Sequence, residues 1–170
     1  MRIEFSTEVE TWQEDGPDAD YLAGEPYSYR GSTNGRVTNV TAAVSAREST
    51  ARQYGGESLV KEMPDVGPGD TVYVVVVGYT SGDTFGRDGG HTAVLGAFTD
   101  ADAAEELMEA AADDQGRDYK MTHNGVEYYC PWVGYFENME EINVWEVTVR
   151  KTHEYSRWDS GVTRGFKRGH

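Results

Sequence analysis

The residues with chemistry to offer gather in two short stretches. Between Thr80 and Gly90, Ser81 and Thr84 supply hydroxyls, Arg87 a guanidinium, and Asp83 and Asp88 carboxylates. Gly82, Gly86, Gly89 and Gly90 let the backbone approach a ligand closely, so these groups could hold a phosphate or another polar moiety. Arg87 is the only Lys or Arg between Lys61 and Arg117, the one such cation this segment has for an anion. Phe85 lies inside the stretch and His91 closes it. The same composition also suits a hairpin loop whose glycines only meet turn geometry. In the second stretch Tyr128, Tyr129, Trp132, Tyr135 and Phe136 crowd into nine residues. Such rings could stack a nucleobase or anchor a partner protein, or form a satellite hydrophobic cluster under a loop.

Motifs for bond-breaking chemistry are missing from both stretches. No Gly-Lys-Ser/Thr completes a phosphate-binding P-loop, and no helix follows the Gly-rich segment to lend its dipole. His91-Thr92 matches half of a paired-histidine phosphoesterase motif, but His123-Asn124-Gly125 does not supply the other half. There is no Gly-x-Ser-x-Gly elbow. Asp83 and Asp88 lack the terminal Glu of a calcium loop, and the four His are too scattered for zinc. The single Cys130 excludes an intramolecular disulfide framework and a multi-cysteine metal site. No catalytic residue, metal or cofactor is therefore expected.

Strands must position these stretches. Thr71–Tyr79 is nearly continuous in β-branched and aromatic residues, which reads as a strand buried on both faces. His91–Phe98 reads as its hairpin partner. Arg2–Trp12 alternates Ile3, Phe5, Thr7, Val9 and Thr11 against polar residues, a half-buried strand. Arg36–Arg47 reads as a strand, whereas 13–35 and 53–69 read as loops, the former with a short strand at Pro26–Arg30. Thr99 with Asp102 marks a helix start; Ala104, Leu107, Met108 and Ala111 form its apolar stripe, and Gly116 its stop. Val126–Tyr129 and Ile142–Lys151 return to strand, flanking an aromatic loop at Cys130–Asn138. The expected class is α+β: a single domain with a largely antiparallel sheet and one main helix packed on one face. Within residues 1–170, a hairpin-helix-strand unit at 70–151 follows N-terminal strands and loops at 1–69 and precedes a mildly basic tail at 152–170.

Charge limits the partners. The 170 residues carry a formal net charge of −15. The tail from His153 holds four Arg or Lys against two acidic residues, so the first 152 residues carry −17. A body this acidic repels nucleic acid and anionic membrane. Solubility or salt adaptation explains the same acidity without any partner, and the low share of Lys, four of 15 basic residues, fits salt adaptation or a GC-rich coding sequence. No apolar run approaches 18 residues and no secretory signal opens the chain, so the expected location is a reducing cytoplasm.

SGDTFGRDGG after a Val-rich strand, then VLGAFTDADAAEELM, then CPWVGYFENMEEINVWEV, resembles a family of small uncharacterised proteins encoded by tailed bacteriophages or archaeal viruses. The shared outline is a Gly-Asp-Ser/Thr-Phe-Gly loop, a helix and a Pro-Trp-x-Gly-Tyr-Phe loop, spanning roughly Asp70–Lys151. The resemblance implies an accessory protein acting in the cytoplasm of an infected host cell, and no particular reaction. Such proteins often counter host defence, by sequestering nucleotide signals or by binding a host protein.

These observations yield an expected ligand-binding set of Ser81, Asp83, Thr84, Phe85, Arg87, His91, Trp132, Tyr135 and Phe136. The first hypothesis is a non-catalytic protein that sequesters a small anionic or nucleotide-type ligand. The second is an acidic inhibitor that mimics nucleic acid against a host protein. The third is a hydrolase of the bound ligand. Neither direct nucleic-acid nor membrane binding is expected, and homo-oligomerisation is left open.

Overall fold

Period-two alternation governs most of this chain, and it builds strands. The computed structural model describes residues 1–13, 33–45, 58–81, 91–113, 120–130, 137–151 and 164–166. Among them lie β1 (Arg2–Gln13), β2 (Thr33–Val44), β3 (Ser58–Glu62), β4 (Thr71–Ser81) and β5 (His91–Phe98). The helix α1 (Ala101–Asp113) follows, then β6 (Lys120–His123), β7 (Val126–Tyr129), β8 (Glu137–Arg150) and β9 (Arg164–Phe166). The strand expected at Pro26–Arg30 and the helix stop at Gly116 lie outside the described residues. Residues 53–69, expected as loop, contain β3, which pairs with β1 from Arg2↔Glu62 to Ser6↔Ser58.

One seven-stranded sheet contains all the strands except β6 and β7. β4 is its centre, antiparallel to β5 on one edge and to β8 on the other. β1, β2 and β3 form an antiparallel leaf that folds over the inner face of β5, β4 and β8. Two short pairings join the leaves. Ala42 and Ala43 run parallel to Val149 and Arg150 at one end, and Thr33 pairs with Ser81 at the other. Between these points β2 crosses the inner side of β4 at Gly78, where a Cβ would stand 2.5 Å from the carbonyl oxygen of Gly35. Only glycine fits that crossing.

The result is a mainly β, nearly closed, barrel-like sheet, which corrects the α+β expectation. The helix does pack on one face of the sheet, but the other face is not open. The apolar sides of β1 and β2 (Ile3, Phe5, Val37, Val40 and Ala42) require cover, and they find it on Val72, Val74 and Val76. Curling the sheet onto itself buries both sets at once, at about 25 cal/mol per Å² of apolar surface removed from water.

β4 thus serves two cores. Val72, Val74 and Val76 face the barrel interior with Ile3, Phe5, Val147 and Val149. Val75, Val77 and Tyr79 face outward with Leu95, Leu107, Met108, Ile142 and Val144. The reading of a strand buried on both faces is correct. β5 keeps the same division across a bulge opposite Val75/Val76, with Thr92, Val94 and Ala97 inward and Ala93 and Leu95 outward.

The expected apolar stripe of α1, Ala104, Leu107, Met108 and Ala111, is buried together with Ala112. Leu107 and Met108 together contribute about 3–6 kcal/mol by burial. The N-cap is Asp100, whose Oδ1 accepts from the Asp102 N–H at 3.1 Å, and not Thr99 as the Thr99/Asp102 spacing suggests. Beyond the helix, β6 and β7 form a two-stranded hairpin turned by Asn124 and Gly125, both at positive φ, as a type I′ turn requires. Met121, Tyr128 and Cys130 dock this region on the outer core.

Candidate functional site

Ser81 organises one rim of the barrel. As the last residue of β4 it pairs with Glu137, the first of β8, and with Thr33, the first of β2. Thr33 in turn pairs with Gln13, the last residue of β1. Two registers further along, Tyr79 pairs with His91, the first residue of β5. Segments 14–32 and 82–90, and the C-terminal end of segment 131–136, are therefore all attached to this rim. The strand ends that flank the Gly-rich and aromatic stretches are paired there, Ser81 with Glu137.

Below the rim the inner wall is polar. Glu141, Gly78 and Thr92 lie in one row across β8, β4 and β5. The Glu141 carboxylate accepts the Val37 N–H at 2.6 Å, which pins β2 where it crosses Gly78. Thr92 shares a buried hydroxyl–hydroxyl hydrogen bond of 2.8 Å with Thr7 of β1. One row deeper stands Asn143, itself buried, beside Val76 and Val94. The next row holds Trp145 beside Val74. Its indole Nε1 is buried and has no hydrogen-bond partner among the described residues, a deficit worth about 1–3 kcal/mol. Glu141, Asn143 and Trp145 span about 13 Å along β8, at about 3.3 Å per residue. Beyond them the interior is wholly apolar, closed by Ile3, Phe5, Val72, Val147 and Val149.

Of the nine expected site residues, the described part includes two. Ser81 is the rim anchor. His91 is exposed, and its ring stacks on Tyr79 with centroids 5.4 Å apart and planes 28° from parallel. Asp83, Thr84, Phe85, Arg87, Trp132, Tyr135 and Phe136 lie outside the described residues, while the strand ends that carry them are adjacent. Tyr129, counted with the aromatic stretch, is instead exposed on the outer hairpin, and Tyr128 is half-buried against the outer core, where desolvation raises its pKa. Glu141, Asn143, Trp145, Thr7 and Thr92 escaped the sequence reading as site residues. Their signal is faint: in Glu-Ile-Asn-Val-Trp the polar residues occupy alternate positions, the pattern of a solvated face.

Chemically, this wall offers a carboxylate, an amide, two hydroxyls already paired with each other and an indole N–H with none. That assortment can orient a ligand by hydrogen bonds. Among the described residues no cluster of three His, Cys, Asp or Glu could hold a metal ion. Comparison of the chain with protein-family models, with curated proteins and with solved structures finds no match.

Proposed function

We propose that this chain is a non-catalytic binding protein of viral origin that sequesters a small nucleotide-type signal and so counters host defence. One observation carries the binding part: the strand ends bearing the Gly-rich and aromatic segments join at Ser81↔Glu137, directly above a polar inner wall. Arg87 and the glycines would hold the anionic part, and Trp132, Tyr135 and Phe136 would stack the base. The viral part rests on the family resemblance. The site of action would be the cytoplasm of the infected host; among the described residues no helix is long and apolar enough to cross a membrane.

Titration calorimetry against cyclic oligonucleotides and ADP-ribose derivatives tests this function. Heat from one of them, with Arg87→Ala weakening that ligand by about 1.5–3 kcal/mol, is the expected result. Folded protein that gives no heat with any of them removes it. Recovery of the bound ligand unchanged separates sequestration from hydrolysis. The net charge of −15 favours, as a second reading, an acidic inhibitor that occupies a basic groove on a host protein. A stoichiometric partner released by raised salt would select it over the first.

A further inference from the structure

Among the described residues, no backbone pairing closes the barrel at β5. β5 pairs only with β4, and β3 only with β1, so among the described residues β5 faces β1 and β3 without a ladder. Side chains stitch the gap. Near the rim it is the Thr7–Thr92 hydroxyl pair. Toward the other end it is Lys61 of β3, whose Nζ donates to the carbonyl oxygen of Ala97 at 2.7 Å and lies 4.9 Å from the centre of the Phe98 ring. Between the stitches Val94 and Ala97 press into the interior core. On the opposite side the leaves are joined by the short β2–β8 pairing at Ala42–Ala43 and Val149–Arg150 and by the β2–β4 pair Thr33↔Ser81.

We propose that the barrel opens along the β5 seam, with Lys61 as the latch and the two pairings of β2, to β8 and to β4, as the hinge. A ladder strand separates only when several backbone hydrogen bonds break together, whereas among the described residues this seam is held by two side-chain polar contacts and by the packing of Val94 and Ala97. Lys61 is suited to release. Its half-buried amine has lost hydration, which offsets part of what the carbonyl bond and the ring contact return, and its pKa is lowered by that desolvation. Opening uncovers the inner side of β5 first, while β4, held by ladders on both edges, stays shut.

Thiol labelling of the full chain tests this in a Cys130→Ala background. Val94→Cys places a thiol on the inner side of β5 and Val76→Cys places one on the inner side of β4, both buried. The expected result is labelling of Val94→Cys at least tenfold faster than Val76→Cys. Adding Lys61→Met should accelerate Val94→Cys several-fold and leave Val76→Cys unchanged, and Lys61→Arg, which keeps a donor, should restore most of the slow rate. Equal labelling at both positions means that only global unfolding exposes the interior, and overturns the seam. A Val94→Cys rate that ignores Lys61→Met overturns the latch. Ala97→Cys, also inward on β5, takes the place of Val94→Cys if that variant does not fold.

Discussion

Gly78→Ala concentrates the logic of the barrel in one methyl group. The new Cβ would lie 2.5 Å from the Gly35 carbonyl oxygen, 3.0 Å from Glu141 Cγ and 3.3 Å from Glu141 Oε1. A Cβ essentially never has a neighbour under 3.0 Å, and the nearest atom is backbone, so β2 and β4 must separate by at least about 0.5 Å at their crossing. Overpacking of this kind costs about 1–3 kcal/mol. The same displacement stretches the Val37 N–H to Glu141 bond, a carboxylate contact in the class worth about 1.5–3 kcal/mol. Allowing that the bond lengthens and does not break, the sum is about 2–4 kcal/mol. For a chain of this size that lowers the melting temperature by about 4–16 °C. Circular dichroism melts with urea titration of the same samples measure it. Gly96→Ala is the comparison, because its Cβ meets side chains and not backbone, Leu107 and Phe98 at 3.1 and 3.3 Å, contacts that require a shift of only a few tenths of an ångström. A Gly78→Ala melting temperature within about 2 °C of the parent refutes the claim that β2 crosses there under contact.

Other outcomes follow from the same geometry. Leu107→Ala should cost about 2–5 kcal/mol, because the side chain is fully buried where α1 meets β4 and β5, and chemical denaturation will read it. Gly125→Ala should cost about 1 kcal/mol through its positive φ, with the loss of amide protection confined to β6 and β7. A Thr7→Val/Thr92→Val cycle should return a coupling of about 0.5–1.5 kcal/mol, and zero coupling would mean that the buried hydroxyl bond contributes nothing. Lys61 is held below its ordinary pKa of 10.5 by desolvation, so between the folded and unfolded values the unfolded chain binds more protons. Stability should therefore rise with pH across the window just below 10.5, and Lys61→Met should remove that part of the rise in pH-dependent urea titrations.

Elements whose pattern is local were legible in the sequence. The Val-rich strand, its hairpin partner at His91–Phe98, the buried stripe of α1 and the Trp145, Val147 and Val149 face of β8 all follow from periodicity alone. What escaped depends on distant partners. Nothing near residues 58–62 announces a strand, because β3 forms on the edge that β1 presents. Asn124-Gly125 did announce the β6–β7 turn, since both residues accept positive φ, and β6 went unread although its turn was in view. The helix cap was misplaced by one residue because Thr99 and Asp100 are both good caps. Barrel closure was hidden for a deeper reason: alternation says that β1 has one apolar face, but not whether a helix or another strand covers it. The candidate site divides in the same way. Sequence composition marked Ser81 and His91, while Glu141 and Asn143 carry no local signal of a site, because their place on the inner wall depends on the distant strands that surround it.

The joint between β2 and β8 has a consequence for how the chain is made. Val37 and Glu141, which its crossing brings into hydrogen bond, are separated by 104 positions in the sequence. At translation rates of about 5–20 residues per second, β2 leaves the ribosome about 5–20 s before β8 can reach it. During that interval β3 and β4 emerge in turn, but the core of Ile3, Phe5, Val37 and Val40 still lacks Val147 and Val149 of β8. The leaf of β1, β2 and β3 must therefore wait with part of its apolar face uncovered and with the β2 edge that later meets β8 unfilled. Folding yield should then depend on synthesis speed and chaperone supply more steeply than the equilibrium stability of the finished barrel would suggest.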